Sequence, residues 1–335
     1  MSFYFYKQNT CILQLFQTHS KQLTKMAFVE CYKKHYVMYS LLIGLLIAAA
    51  VVVPTTVVLV KDKHNHKHDA NIKNNAIEIP QNISYTTLTV TDDFTNTSSW
   101  NVVKYVYGQN NWNSLDNETT SVVYPAKSVN PSSDSPGGFN FYVSPMESFP
   151  SQEVYLSYQV KFTSDDGLSR KMLATNDFDW VKGGMLPGLW IGKMGAQDSN
   201  HLEDGASCRV MWRQNGLAEA YLYANQQIPE FYQLPGYFNN KPYGESMYRG
   251  FAKFVSGDWN TVVLRIKLNT VGQNDGILQI SINNTTLTYD KMNWRNNDSV
   301  TINGVLMHSF FGGSGDSWAT PKEQKVFFSK ITVYS

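Results

Sequence analysis

The stretch Ala206–Ala224, ASCRVMWRQNGLAEAYLYA, decides the fold. Cys208, Val210 and Trp212 alternate with Ser207, Arg209 and Met211; after the turn, Ala218, Ala220 and Leu222 alternate with Glu219, Tyr221 and Tyr223. A period of two sends successive side chains to opposite faces of a strand, so each arm has one apolar and one mostly polar face. The register follows from keeping those faces together. A two-residue turn at Asn215-Gly216 would set Arg209 opposite Leu222 and mix the faces, because opposed residues project to the same side. A three-residue loop, Gln214-Asn215-Gly216 with Gly216 left-handed, sets Arg209 opposite Tyr221 and Ser207 opposite Tyr223. All the small and apolar side chains then point inward, and one exposed face gathers Ser207, Arg209, Tyr221 and Tyr223.

Outward from this hairpin the same pattern recurs. Val154–Phe162 places Leu156, Tyr158, Val160 and Phe162 on one face, and Thr261–Leu268 places Val262, Leu264, Ile266 and Leu268 on one face. Leu278–Ile282 and Thr285–Tyr289 flank Asn283-Asn284 as a second hairpin, and Val305–Phe311 and Val326–Tyr334 complete the set. No internal repeat and no long helical period accompany them. Many short antiparallel strands separated by polar loops predict an all-β fold, a jelly-roll sandwich of two antiparallel sheets.

Residues 41–60, LLIGLLIAAAVVVPTTVVLV, are uncharged and long enough to cross a bilayer, which predicts one transmembrane helix over residues 39–60. Ala48, Ala49 and Ala50 also fit the approach to a signal-peptidase cut, which would give a secreted product. Residues 1–38 then form an N-terminal cytoplasmic tail, residues 61–83 a flexible stalk poor in large apolar residues, and residues 84–335 the β domain. Lysines are balanced on the two sides of the apolar segment and do not orient it. The N-x-S/T triplets at Asn82, Asn96, Asn117, Asn283, Asn284 and Asn297 all lie beyond it, which places the C-terminal domain outside the cytoplasm: extracellular or lumenal, or on a virion surface.

A formal net charge of +1 supplies no global basic field, so nucleic acid is not an expected partner, and any polyanion must be held locally. The cysteines Cys11 and Cys31 precede the apolar segment and Cys208 stands alone after it, so the β domain has no internal disulfide and relies on its core. His64, His66 and His68 alternate in the stalk and are read as solvated, so no metal site is expected there.

One permanent cation, two phenols and a hydroxyl suit β-elimination next to a uronate. Removing the proton at C5 builds negative charge on the adjacent carboxylate, which arginine meets with two parallel hydrogen bonds. Tyrosine serves as acid or base if nearby cations lower its pKa from about 10. A structural polar patch would use the same residue types.

The segment Lys182–Leu189, KGGMLPGL, followed by Ser207-x-Arg209 and Tyr221-x-Tyr223, resembles the active-site pattern of polysaccharide lyase family 14, over about Tyr155 to the C-terminus. The family includes alginate lyases of marine molluscs and a glucuronate-cleaving lyase of chlorella viruses. The resemblance implies a β-jelly roll with Lys182, Ser207, Arg209, Tyr221 and Tyr223 lining a catalytic cleft. Arg209 would neutralise the carboxylate, Tyr223 would move the proton, and Lys182 would bind the anionic chain or act as base. The substrate would be an acidic polysaccharide of alginate or glucuronan type, and no cofactor or metal is called for. Family members often carry a second lysine where Met185 stands, which puts alginate specificity in question. The competing expectation is a lectin-like surface protein that keeps the groove without the chemistry.

Other candidates fit less well. Glu203 and Asp204 are neighbours, and on a strand they would point to opposite faces. His308 lies in an apolar run and is read as a core histidine. Gly312, Gly313 and Gly315 lack the strand-to-helix setting of a phosphate loop.

Overall fold

The computed structural model describes residues 71–91, 99–131, 134, 136–147, 149–163, 178–194, 204–240, 243–313 and 315–335. The chain divides at His68/Asp69, and the described residues belong to the C-terminal unit, Asp69–Ser335. The expected tail, the apolar segment 39–60, Cys11, Cys31, the three stalk histidines, Asn96 and Glu203 lie outside the described residues. Among the described residues no helix is long and apolar enough to cross a membrane.

Two antiparallel sheets make up the unit. The first joins β1 (Ile72–Lys73), β2 (Tyr85–Thr87), β4 (Trp112–Ser114), β5 (Thr119–Tyr124), β7 (Glu153–Thr163), β13 (Trp259–Lys267), β14 (Gly276–Ile282), β15 (Thr285–Met292) and β17 (Gln324–Tyr334). Its order is β1-β15-β14-β13-β7-β17-β5-β4, with β2 also paired to β17. The second runs β11-β12-β10-β9-β8-β16-β6-β3. These are β3 (Val102–Tyr107), β6 (Phe139–Val143), β8 (Gly183–Gly192), β9 (Gly205–Arg213), β10 (Ala218–Tyr223), β11 (Phe238–Asn239), β12 (Glu245–Met247) and β16 (Ile302–Phe311). The strands expected around Val154, Thr261, Leu278, Thr285, Val305 and Val326 are all present, and the fold is all-β and jelly-roll-like.

The alternation explains how the sheets meet. Leu156, Tyr158, Val160 and Phe162 of β7 and Val262, Leu264 and Ile266 of β13 are fully buried, facing Leu189 and Ile191 of β8 and Cys208, Val210 and Trp212 of β9 in one core. Two phenols bridge the layers: Tyr158 donates to the Pro187 carbonyl at 3.3 Å, and Tyr124 pairs with Ser309 Oγ at 2.5 Å. Cys208 is a free, buried thiol, so packing alone holds this unit's core together.

One expectation changes. Residues 71–83 were expected to be stalk, but Ile72 pairs with Leu287 and Lys73 with Thr286, and Asn71 Nδ2 donates to Tyr248 Oη at 2.7 Å. A two-residue edge strand carries too little periodicity to be seen in sequence. Pro187 sits inside the central strand β8, where it would break a regular ladder; the register shifts between Met185 and Gly188 show that a bulge accommodates it.

Candidate active site

The β9–β10 hairpin has the register that the alternation requires. Arg209 pairs with Tyr221 and Ser207 with Tyr223. The loop is Gln214–Gly216, with both Asn215 (φ 63) and Gly216 (φ 75) left-handed. A Cβ on Gly216 would come within 2.7 Å of the Phe254 carbonyl oxygen, so close approach adds a second reason for glycine there.

On the outward face Arg209 Nη2 donates to Ser207 Oγ at 3.0 Å, and its guanidinium lies 4.9 Å from the centre of the Tyr223 ring. The rings of Tyr221 and Tyr223 meet edge to face at 5.8 Å. The backbone N–H of Gly244 donates to Tyr221 Oη at 3.0 Å, and Tyr221 is hydrogen-bonded to Tyr223. Met185, Met211 and Phe310 pack against the two tyrosines. Four of the five expected residues are therefore together.

The face is not exposed, as the strand pattern suggested. Ser207, Arg209, Tyr221 and Tyr223 are between 2% and 7% accessible. The consequence for Tyr221 is opposite to the expected one: burial, followed by the neighbouring Tyr223, pushes its pKa above the usual phenol range, and Arg209 and the Gly244 N–H offset this only in part. Tyr221 is a phenol, a proton donor, at neutral and mildly alkaline pH.

Lys182 stands apart from the four. It is exposed at the start of β8, its Nζ donates to Ser317 Oγ at 2.7 Å, and it lies 5.5 Å from the Trp318 ring. The bulge brings Met185 into the cluster instead, at the position where the resemblance puts a second lysine in other family members.

Arg209 differs sharply from the arginine four positions along. Arg213 pairs with Glu219, which is fully buried and also bound by Arg249 Nε at 2.5 Å. Arg209 is 2% accessible, has no carboxylate partner among the described residues, and its Nε has no hydrogen-bond partner there. A buried cation left in this state costs several kcal/mol, on the order of 3–5 when a partner has been removed. Among the described residues no group of His, Cys, Asp and Glu could hold a metal ion.

The sequence profile of Polysaccharide lyase 14 matches residues 113–331. The chain belongs to polysaccharide lyase family 14. The solved PL-14 alginate lyase from Aplysia kurodai superposes with a TM-score of 0.63 at 23% identity, covering 75% of this chain and 98% of that one. The alginate lyase vAL-1 from Chlorella virus gives 0.55 at 22% identity, over 70% of this chain and 100% of that one. Exolysin of Paramecium bursaria Chlorella virus 1 is 29% identical over 128 residues, which is 32% of this family 14 chain. That match spans 19% of exolysin's length.

His308, read from sequence as core, belongs to this neighbourhood. It is 1% accessible, and burial, with the Arg209 charge second, holds its imidazole pKa well below the usual histidine value against a backbone hydrogen bond at Leu186. Its position two residues before Phe310 on β16 was the available signal, because residues two apart share a face.

Proposed function

We propose that this protein is a polysaccharide lyase that cleaves a uronate-containing chain of alginate or glucuronan type by β-elimination. The observation that carries the reading is Arg209: a buried guanidinium with no carboxylate of its own, beside two hydrogen-bonded phenols. A uronate carboxylate supplies the missing anion, and the bond strengthens as C5 loses its proton and charge moves onto the carboxylate. Tyr223 Oη acts as the base that takes the C5 proton. The electron pair forms the C4–C5 double bond, the C4–O4 bond breaks, and the tyrosine returns the proton to O4, which regenerates its starting form. Tyr221, held as a phenol by its burial and positioned by the Gly244 N–H, donates toward Tyr223 and orients it as base. Lys182 serves as an anion contact at the rim, since its ammonium is spent on Ser317 and Trp318 rather than on the tyrosines.

The same reading puts the domain outside the cytoplasm, tethered by residues 39–60 or released by cleavage there. Asn82, Asn117, Asn284 and Asn297 are exposed and open to glycosylation. The test of the chemistry is to incubate the protein with alginate, glucuronan and pectin while following absorbance near about 235 nm, where the conjugated double bond left by base-assisted proton loss absorbs. A rise with at least one polymer supports elimination. Tight binding with no rise on any of them would favour the lectin-like alternative.

A further inference from the structure

Beyond Arg209 the second sheet carries more buried polar atoms that lack partners. Asn140 Oδ1, like Arg209 Nε, has no hydrogen-bond partner among the described residues, and the His308 imidazole has none on a side chain, its one polar contact there being with the backbone of Leu186. They are 1%, 7% and 2% accessible for His308, Asn140 and Arg209. His308 lies directly opposite Asn140 across β16 and β6, so the two project to the same face.

That face is the one that holds Arg209. Leu306, two residues before His308, packs with Trp190, and Trp190 is the register partner of Ser207; Phe310, two residues after it, packs on the tyrosine cluster. The His308 ring meets Phe310 edge to face at 5.3 Å. Between β9 and β16 the register runs Arg209, Gly188, Leu306, so a glycine lies between Arg209 and the residue two before His308. A Cβ on Gly188 would fall 2.0 Å from the Cys208 carbonyl oxygen and 2.8 Å from Arg209 Cα, which requires glycine here.

We propose that His308 and Asn140 form a sugar subsite continuous with the Arg209 carboxylate site, so that the uronate polymer crosses the strands from β9 over Gly188 to β16 and β6. Three inter-strand spacings and a two-residue step along the strand separate Arg209 from Asn140, about 16 Å, which exceeds one sugar ring and accommodates its neighbour. The ligand chemistry follows from the unpaired atoms. With its single N–H turned to the Leu186 backbone, a neutral imidazole offers its lone pair, and the amide oxygen offers a second acceptor. The carboxylate stays on Arg209, and sugar hydroxyls donate to the imidazole lone pair and to Asn140 Oδ1. A neutral imidazole is the required form, because a second buried cation beside Arg209 would be repelled; Arg209 and burial hold it so. A histidine kept for the core alone would have both nitrogens paired, as buried polar groups generally do, whereas the Leu186 backbone takes up only one.

This inference rests on the uronate reading, and the experiment separates the two. His308→Leu, His308→Gln and Asn140→Leu are compared with the full-length protein by thermal melting and by steady-state kinetics on the polymer that gives the strongest absorbance change. The subsite predicts that both leucine variants melt at or above the wild-type temperature, since each removes unpaired buried polar atoms. It also predicts that they lose about tenfold or more in kcat/KM, mainly through KM, and that His308→Gln recovers part of the loss. Leucine variants within about threefold of wild type, or ones that lose activity and melting temperature together, would overturn it. Imidazole nitrogen chemical shifts of His308, followed by NMR as a saturated oligouronate is added, read binding without turnover. A shift with the oligouronate and none with a neutral oligoglucoside supports the subsite even if no polymer is cleaved. No shift at saturating oligouronate overturns it even if cleavage occurs.

Discussion

Arg209 and Arg213 stand four positions apart on one face of one strand, about 13 Å along it, yet among the described residues only the second has a carboxylate. Their substitutions should therefore diverge. Arg209→Lys keeps the charge but loses the planar pair of donors, and is expected to lower kcat/KM about a hundredfold, roughly 2.7 kcal/mol in transition-state terms, with unchanged circular dichroism. A lysine enzyme within about threefold of wild type would remove Arg209 from the transition state. Glu219→Ala, by contrast, leaves Arg213 and Arg249 facing each other in a buried site and should cost about 3–5 kcal/mol of stability, read as a lower urea midpoint. At the tyrosines, Tyr223→Phe is expected to lose most of the rate with a smaller change in polymer binding, because the ring that packs on Arg209 remains. Unchanged turnover in that variant would assign the proton transfer to another group.

The hairpin is the element on which the site depends, and its register was legible because Cys208, Val210, Trp212, Ala218, Ala220 and Leu222 admit only one inward arrangement. What closes over its polar face was not legible. Gly244 N–H, the Met185 bulge and Phe310 reach Tyr221 and Tyr223 from β-strands and loops far along the chain, and periodicity within one strand carries no information about them. Lys182 illustrates the same limit: three residues before Met185 it shares the family pattern, but the turn that starts β8 sends it to Ser317. His308 was hidden because an apolar run looks the same whether its alternate face meets the core or a second, smaller apolar cluster. Gly216→Ala tests the hairpin directly. With φ 75 and the Phe254 carbonyl oxygen 2.7 Å from the added Cβ, it should cost about 1–3 kcal/mol in urea unfolding, and activity should fall with the loss of register. A variant as stable as wild type would mean that the loop does not set the register.

For the whole molecule, burial fixes a pH window. Tyr124 and Tyr158 bridge the sheets, and burial raises their pKa values above the ordinary phenol range, as it does for Tyr107 and Tyr221. The folded state holds these protons more tightly than the unfolded chain, so this stability is full below about pH 10 and is lost as pH rises beyond it. His308 acts in the opposite sense. Its folded pKa is depressed, so its contribution is full above about pH 6.5 and is lost as pH falls below that. Urea midpoints measured across pH should show a plateau between these limits, and His308→Leu should reduce the acid-side slope. The central claim, that a uronate chain is cut by elimination at Arg209 and the tyrosine pair, is tested most directly by mass spectrometry of the products from one defined oligouronate. Elimination predicts two fragments whose masses sum to that of the substrate, one with an unsaturated end. Fragments whose masses sum to the substrate plus one water would show hydrolysis and contradict it.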